Sequence, residues 1–170
     1  METNYPRLIT YSEAVNGFVI LFKGDQPTED SGLKENMTLL SYNVLGDQLW
    51  KREIPLAGNV VQLFNLSDGY AVVGNYLQIT DLAGKEFRTR MTEKEAGPYF
   101  IKVKSNGETS LIKPFPMASG LVTIRVVKVN DSSIHLLGFN GTLADQKTGQ
   151  ELGSHTMIDS NGQVIFSNVQ

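Results

Sequence analysis

The stretch Ile158-Asp159-Ser160-Asn161-Gly162-Gln163-Val164-Ile165-Phe166 consists of an apolar run, a tight turn with glycine at its corner, and a second apolar run. Related stretches stand at Val103-Lys104-Ser105-Asn106-Gly107-Glu108-Thr109-Ser110-Leu111 and, more diverged, at Tyr42-Asn43-Val44-Leu45-Gly46-Asp47-Gln48-Leu49-Trp50. Asn-Gly between two alternating segments is a strong hairpin signal, and the two-residue turn that it favours needs φ > 0 at both turn positions. The sequence therefore predicts three β-hairpins of one kind.

The three hairpins belong to three longer repeats. Their turn glycines, Gly46, Gly107 and Gly162, recur at intervals of 61 and 55 residues, which is typical of propeller blades or solenoid units. A short β-type run precedes each hairpin, so the sequence predicts four strands per repeat. The predicted first strands are 8–15, 59–66 and 121–129, the second are 17–22, 69–76 and 133–139, the third are 37–43, 99–104 and 154–159, and the fourth are 47–54, 108–115 and 163–169. We expect a single all-β domain, 1–170, of three four-stranded antiparallel repeats covering about 7–56, 57–117 and 118–170.

The links between strands fall into two classes. The first-to-second and third-to-fourth links are short, whereas the second-to-third links, 23–36, 77–98 and 140–153, are long and differ completely between copies. In an up-and-down sheet all the long links emerge at one end, and such insertions often mark a binding face. We therefore expect a protein or small ligand to bind there. The middle link is predicted to contain its own small hairpin, with 77–80 and 86–89 as strands and Gly84 in the turn.

Composition excludes several function classes. The 15 Lys and Arg residues are scattered and the net charge is -3, so no basic patch suited to nucleic acid is expected. The chain has no cysteine, which excludes disulfides, thiolate metal sites and a cysteine nucleophile. No apolar stretch approaches the ~20 residues that span a bilayer, and the first residues lack the basic and apolar regions of a signal peptide. No membrane span is predicted.

A few side chains invite a chemical role, and each has a simpler structural explanation. The indole of Trp50 could stack against a carbohydrate. Leu111 and Phe166, however, also stand four residues after their turn glycines, which favours a packing role for this position. His135 and His155 have no clustered carboxylate, so they do not form a metal site. The segment starting at Asp159 lacks the further ligands of a calcium loop. We predict no catalytic, cofactor-binding or metal-binding residue, and no cofactor.

With four strands per repeat and a closing glycine hairpin, the chain resembles the β-propeller blade repeats of bacterial extracytoplasmic proteins. The matching residues are Gly17-Phe18 with Gly46 and Trp50, then Asp68-Gly69-Tyr70 with Asn106-Gly107 and Leu111, and finally Gly138 with Asp159, Asn161, Gly162 and Phe166. Such blades occur in quinoprotein-like, scaffold and outer-membrane assembly proteins. The resemblance implies a propeller-like fold and a location in the periplasm or at the cell surface, with any leader removed.

The number of repeats departs from this pattern. Propellers have four to eight blades, whereas three copies account for the whole sequence. The sequence leaves three possibilities open: a fragment of a larger propeller, copies that associate, or three sheets in an open stack. Since an open stack leaves edges and faces to be covered, a larger parent or a homo-oligomer is favoured.

These observations favour a non-catalytic binding or scaffold module. One alternative is a fragment of a larger propeller enzyme or quinone-cofactor domain, although a tryptophan in every blade is the usual mark of quinoproteins and Trp50 is the only tryptophan in the chain. Another alternative is a glycan-binding module, for which several aromatic residues on exposed loops are expected. The long links carry few bulky apolar residues, which argues mildly against that alternative.

Overall fold

The computed structural model describes residues 5–23, 36–88, 97–115, 121–144 and 151–169. Within these ranges the regular structure is entirely β, and every strand pair is antiparallel. The strands are β1 (Tyr5–Ser12), β2 (Gly17–Lys23), β3 (Asn36–Asn43), β4 (Gln48–Leu66), β5 (Gly69–Thr80), β6 (Glu86–Arg88), β7 (Gly97–Lys104), β8 (Thr109–Pro114), β9 (Leu121–Asn130), β10 (Ser133–Ala144), β11 (Glu151–Ile158) and β12 (Val164–Val169). The predicted all-β antiparallel class is confirmed.

The strands follow one another up and down in two sheets. One has the order β1-β2-β3-β4-β5-β7-β8, with β6 added against β5, and the other has the order β12-β11-β10-β9. Most predicted strands coincide with observed ones to within a few residues. The first predicted strand, 8–15, is observed earlier in the chain, as β1. Residues 13–16 instead form a turn, which Asn16 closes by donating its N–H to the carbonyl of Glu13. The described strands close into neither a barrel nor a propeller ring.

β4 differs from the prediction. The sequence predicts two strands, 47–54 and 59–66, separated at Pro55, whereas the structure has one continuous strand. Residues 48–55 pair with β3 and residues 56–66 pair with β5. Pro55 interrupts nothing because it stands where one pairing ends and the next begins, and there a missing N–H is tolerated.

The chain is therefore arranged in three layers. We call β1, β2, β3 and residues 48–55 of β4 the first layer, residues 56–66 of β4 with β5–β8 the middle layer, and β9–β12 the third layer. Apolar side chains of the first and middle layers share one core: Val19, Leu21, Leu39 and Ile54 with Leu63, Tyr70, Val72, Tyr99 and Ile101. A second core joins the middle and third layers: Ala71, Val73, Phe100 and Phe115 with Ile134, Leu136 and Ile158.

The middle layer is buried on both faces. Successive residues of a strand point to opposite faces, so Tyr70 and Val72 enter the first core while Ala71 and Val73 enter the second. All four are fully buried, which explains why this stretch is a continuous apolar run and not an alternating one. The outer faces of the first and third layers have no such cover in the described part of the protein.

The glycine turns have the predicted glycine conformation but a different turn type. Gly46, Gly107 and Gly162 have φ of 91°, 85° and 67°, as predicted. The prediction that both turn residues have φ > 0 is wrong, since Asn106 and Asn161 do not. In each hairpin the glycine N–H instead reaches the carbonyl three residues earlier, which is a type I turn followed by a glycine bulge. Only the glycine then needs the left-handed conformation.

The predicted hairpin of the middle link is confirmed. Gln78 pairs with Arg88 and Thr80 pairs with Glu86, and Gly84 turns the chain with φ of 82°. The turn is of the same type as the other three, because the N–H of Gly84 reaches the carbonyl of Asp81. The second strand of this hairpin is described only as far as Arg88.

Candidate functional site

The short turns and the long links lie at opposite ends of the layers. In each up-and-down sheet the short connections return at one end, which we call the turn end, and the long second-to-third connections leave at the other, the loop end. Neighbouring layers share this orientation: Trp50 of the first layer reaches the turn carbonyl of Ser105, and the backbone N–H of Ser67 reaches the carboxylate of Asp131. The loop end is therefore one face of the stack.

A groove of about 470 Å³ opens at this loop end, between the first and middle layers. It lies where β3 begins, where β4 changes its pairing partner, and where β6 runs beside the end of β5. Its lining residues are Asn36, Pro55, Leu56, Ala57, Gln78, Ile79, Thr80, Glu86 and Arg88. The groove is thus built partly from the middle link, one of the three segments predicted to carry binding.

The groove has an apolar floor and a polar rim. Leu56 and Ile79 are buried beneath it, while Glu86 accepts hydrogen bonds at its Oε1 from the Nε2 of Gln78, at 2.6 Å, and from the Nε of Arg88. The side chain of Arg88 is 68% exposed, so most of its donors face solvent. A paired carboxylate and guanidinium beside amide groups suits hydrogen bonding to a polar ligand.

These lining residues do not supply an obvious catalytic set. Nucleophilic catalysis needs a serine, threonine, cysteine or lysine activated by a neighbouring base. Among the described lining residues only Thr80 carries such a group, and the nearby carboxylate, Glu86, is already bonded to Gln78 and Arg88. No activated nucleophile is therefore seen among these described lining residues.

The three predicted binding links are only partly within the described residues. Of 77–98, residues 77–88 form the end of β5, the Gly84 turn and β6, and residues 97–98 begin β7. The remainder of that link, residues 89–96, lies outside the described residues, as do 24–35 of the link 23–36 and 145–150 of the link 140–153. Asn36 and Arg88, which stand next to two of these segments, both line the groove.

Trp50 has the packing role that the sequence favours. Its indole lies against Gly107, where an added Cβ would stand 2.7 Å from Trp50 Cδ2. Its ring centroid is 5.9 Å from that of Tyr70, and its Nε1 donates to the Ser105 carbonyl at 2.9 Å. Trp50 therefore joins the first layer to the turn of the middle layer, and the indole face that packs on Gly107 is not available to a sugar.

His135 and His155, which look unrelated in the sequence, form a stacked pair. Their ring centroids are 5.0 Å apart and His135 Nδ1 is 2.8 Å from His155 Nε2. His135 Nε2 is also 2.8 Å from the Oγ of Ser133. Sequence reasoning missed this pair because it depends on the register of β10 against β11, in which Leu137 faces His155.

The pair does not constitute a metal centre by itself. A zinc or iron site needs three or four converging ligands. Within the described residues no group of three or more histidine, cysteine, aspartate or glutamate side chains comes together. Both histidines face outward from the third layer, on the side opposite the buried Ile134 and Leu136.

Asp159 acts within its own turn. Its Oδ1 accepts the backbone N–H groups of Asn161 and Gln163, at 2.9 Å and 2.8 Å. Asn43 and Asp81 make the same two bonds in their turns. This side chain satisfies turn donors that would otherwise need water, so the turn interpretation of this segment agrees with the geometry.

A charged junction links the middle and third layers at the turn end. Asp131 accepts a hydrogen bond from the Ser67 N–H at 2.7 Å and pairs with Lys128 at 2.6 Å. Partial burial alone would raise the pKa of Asp131, but the hydrogen bonds from Lys128 and Ser67 lower it to about 2. The carboxylate is therefore held ionised and ties the two layers together.

The sequence matches no protein-family model, and no curated protein is similar enough to count as a relative. Within the described residues no helix is long and apolar enough to cross a membrane.

Proposed function

We propose that this protein is a non-catalytic binding or scaffold module made of three β-propeller-like repeats, and that its partner contacts the loop end. The observation that carries the proposal is the groove between the first and middle layers, because it is a concave, polar-rimmed surface built from the segments that differ most between the repeats. The turn end offers a contrast, since its connections are short and those of the middle and third layers contact a neighbouring layer.

The chemistry of the rim indicates the kind of partner. Arg88 and Glu86 present one positive and one negative group, and Gln78 and Asn36 add amides. Paired donors and acceptors of this kind match the backbone and polar side chains of a protein segment. Loops positioned by a rigid scaffold are the usual carriers of such recognition. We therefore favour a protein partner over a small cofactor.

The alternatives find less support. A glycan-binding module needs exposed aromatic platforms, whereas Trp50 is used between layers and the described lining of the groove is free of aromatic rings. A propeller enzyme or quinone-cofactor domain requires repeats beyond these three. On the resemblance to bacterial propeller blades alone, we propose an extracytoplasmic location.

Site-specific photo-crosslinking in cells that express the protein tests this proposal. Benzoylphenylalanine is placed at Arg88, at the loop end, or at Glu108, an exposed turn-end position. We expect a discrete protein adduct from position 88 and none from position 108. Equal labelling from the two positions, labelling from position 108 alone, or no adduct from either would contradict a loop-end binding site.

A pair of charge variants then tests the rim itself. E86Q/R88Q removes the groove pair, and K51Q/E53Q removes an exposed ion pair of similar spacing on β4 that lies outside the groove. With the crosslinker moved to Gln78, we expect the first variant to weaken the adduct at least several-fold and the second to leave it unchanged. Equal loss in both variants would mean that net charge, and not the groove, controls binding.

A further inference from the structure

The two internal junctions between layers share one arrangement. At the first junction Gly107 lies against the indole of Trp50, and at the second Gly162 lies within contact distance of Leu111. In both cases the turn glycine of one layer meets the residue four positions after the turn glycine of the preceding layer. Each layer therefore contacts the preceding one through its turn glycine and the following one through the residue four positions after that glycine.

The remaining pair of equivalent positions, Gly46 and Phe166, lies on opposite outer faces of the stack. A Cβ placed on Gly46 would meet no described atom within 4 Å. Phe166 is 46% exposed, and its strand partner is Met157. Because the next residues of β11 on either side, Thr156 and Ile158, are buried toward the middle layer, Phe166 faces away from it. The two halves of a further junction are thus both exposed. The Gly46 turn lies on the outer face of the first layer, and Phe166 lies on the outer face of the third layer.

The other residues that form a junction are also present at the ends. Tyr70 and Ile134, each the second residue of its strand, face the preceding layer, and Tyr70 contacts Trp50. Phe18 holds the same place in β2 and is 40% exposed, since its neighbour Val19 occupies the inner core. Phe18 is therefore oriented to meet the outer face of a preceding layer.

The turn at Gly46 supports this interpretation independently. Its tip is Val44-Leu45, where the equivalent turns have Ser105-Asn106 and Ser160-Asn161. Val44 is 54% exposed and Leu45 is 84% exposed. Exposed apolar residues that gather on one face mark contact sites, and Tyr11 and Phe18 of the same layer are exposed as well and contact each other. The two polar tips belong to turns whose glycines already lie against a neighbouring layer.

A receiving surface lies on the third layer. A cavity of about 460 Å³ on its outer face is lined by Phe166 and Asn168, together with His155 and four neighbouring residues. Asn168 is the counterpart of Arg52, which donates to the carbonyl of Gly107 at 2.6 Å at the first junction. The positions that hold a turn at an internal junction therefore line this cavity.

We propose that the outer face of the third layer binds the outer face of the first layer of a second copy of this chain. The turn at Gly46 of one copy then lies over Phe166 and Asn168 of the other, as the turn at Gly107 lies over Trp50 and Arg52 within one chain. This is a head-to-tail contact, which yields a ring if the rotation closes. Two copies supply six layers, within the range of four to eight found in closed propellers, so the expected assembly is a dimer.

The first experiment measures the mass of the whole chain in solution by light scattering coupled to size exclusion, over a range of concentrations. We expect a dimer of the 18.8 kDa chain. Phe166→Glu should raise the dissociation constant by roughly 30-fold or more, as expected for a central interface residue. Val164→Glu adds the same charge at a residue that is also exposed, at 47%, but faces the other side of the sheet with its pairing partner, the buried Ile158, and should dimerise like the wild type. A monomeric wild type, or equal effects of the two variants, would overturn the proposal.

The second experiment tests the head-to-tail geometry. Because the chain has no cysteine, Val44→Cys and Phe166→Cys each introduce a single thiol. A short bis-maleimide should link Val44→Cys to Phe166→Cys when the two variants are mixed, and should link neither variant to itself. Self-linking of Phe166→Cys alone would show that two third layers face each other and would overturn the head-to-tail arrangement. Circular dichroism on each variant shows that the β fold is retained.

Discussion

Replacing Gly107 by alanine isolates the contact that joins the first two layers. The new Cβ would stand 2.7 Å from Trp50 Cδ2 and 2.8 Å from Trp50 Cγ, closer than such atoms approach in folded proteins. Gly84 provides a matched control, because it occupies the same turn type with φ of 82° against 85° for Gly107, and a Cβ there meets nothing within 4 Å. The two variants share the conformational strain and differ in the collision with Trp50.

The expected magnitudes follow from these two terms. Alanine in the left-handed region costs about 1–2 kcal/mol, and this is the whole expected loss for Gly84→Ala. Overpacking against a fixed neighbour adds about 1–3 kcal/mol, so Gly107→Ala should lose about 2–5 kcal/mol of unfolding free energy. Since 1 kcal/mol corresponds to about 2–4 °C in a domain of this size, the Gly107 variant should melt about 2–12 °C below the Gly84 variant.

Urea and thermal unfolding measure this difference, and Trp50, as the only tryptophan, reports the transition by fluorescence. A Trp50→Leu background, followed by circular dichroism, completes a double-mutant cycle. There the cost of Gly107→Ala should fall toward that of Gly84→Ala, because the colliding ring is gone. Equal losses for the two glycine variants, or an unchanged cost in the leucine background, would refute the contact between the turn and the indole.

Three further perturbations test other contacts. Burial would raise the pKa of Asp131, but its hydrogen bonds lower it to about 2, below its value of about 4 in an unfolded chain. The stabilisation from Asp131 is thus complete above about pH 4 and is lost as the pH falls toward 2, so Asp131→Asn should flatten the decline in urea midpoint between those values. Tyr70→Phe removes the 2.8 Å hydrogen bond to the buried Ser12 and should lower the unfolding free energy by about 1 kcal/mol. In a protein that already carries Ser12→Ala, the further loss caused by Tyr70→Phe should nearly vanish in urea unfolding. Asp159→Ala should cost about 1 kcal/mol by leaving two turn N–H groups without their acceptor, whereas Asp159→Asn should match the wild type in thermal unfolding, because Asn43 makes the same bonds in the first turn.

Much of the fold could be predicted because its signals are local. Turn glycines and alternating apolar runs lie next to each other in the chain, and they placed the strands to within a few residues. The continuity of β4 could not be predicted, since Pro55 looks like a strand end until its position between two pairing partners is known. The turn type was missed because an Asn-Gly pair also suits a type I turn with a glycine bulge, and which of the two forms depends on the register of the flanking strands.

The candidate site was less predictable for the same reason. The sequence indicated the loop end, but the groove forms only where β6 and the start of β3 come beside the point at which β4 changes its pairing partner. Glu86 and Arg88 gave no signal in the sequence, because an exposed charged pair in a link is ordinary until its neighbours are known. The pairing of His135 with His155 likewise depends on a long-range register.

The packing between layers also shows how a junction can form without a tryptophan. At the first junction the indole of Trp50 fills the space in front of Gly107. At the second junction three side chains share the space in front of Gly162. A Cβ added to Gly162 would lie 3.2 Å from Lys113 Cδ and 3.4 Å from Leu111 Cδ2 and Phe100 Cδ1. Leu111, at the position equivalent to Trp50, is smaller, and neighbouring side chains fill the remaining volume. Protein interiors are close-packed, but different combinations of side chains can fill the same space. Layers can therefore stack in a similar geometry without a tryptophan at each junction, and the lack of that residue in the middle and third layers does not count against the proposed propeller-like arrangement.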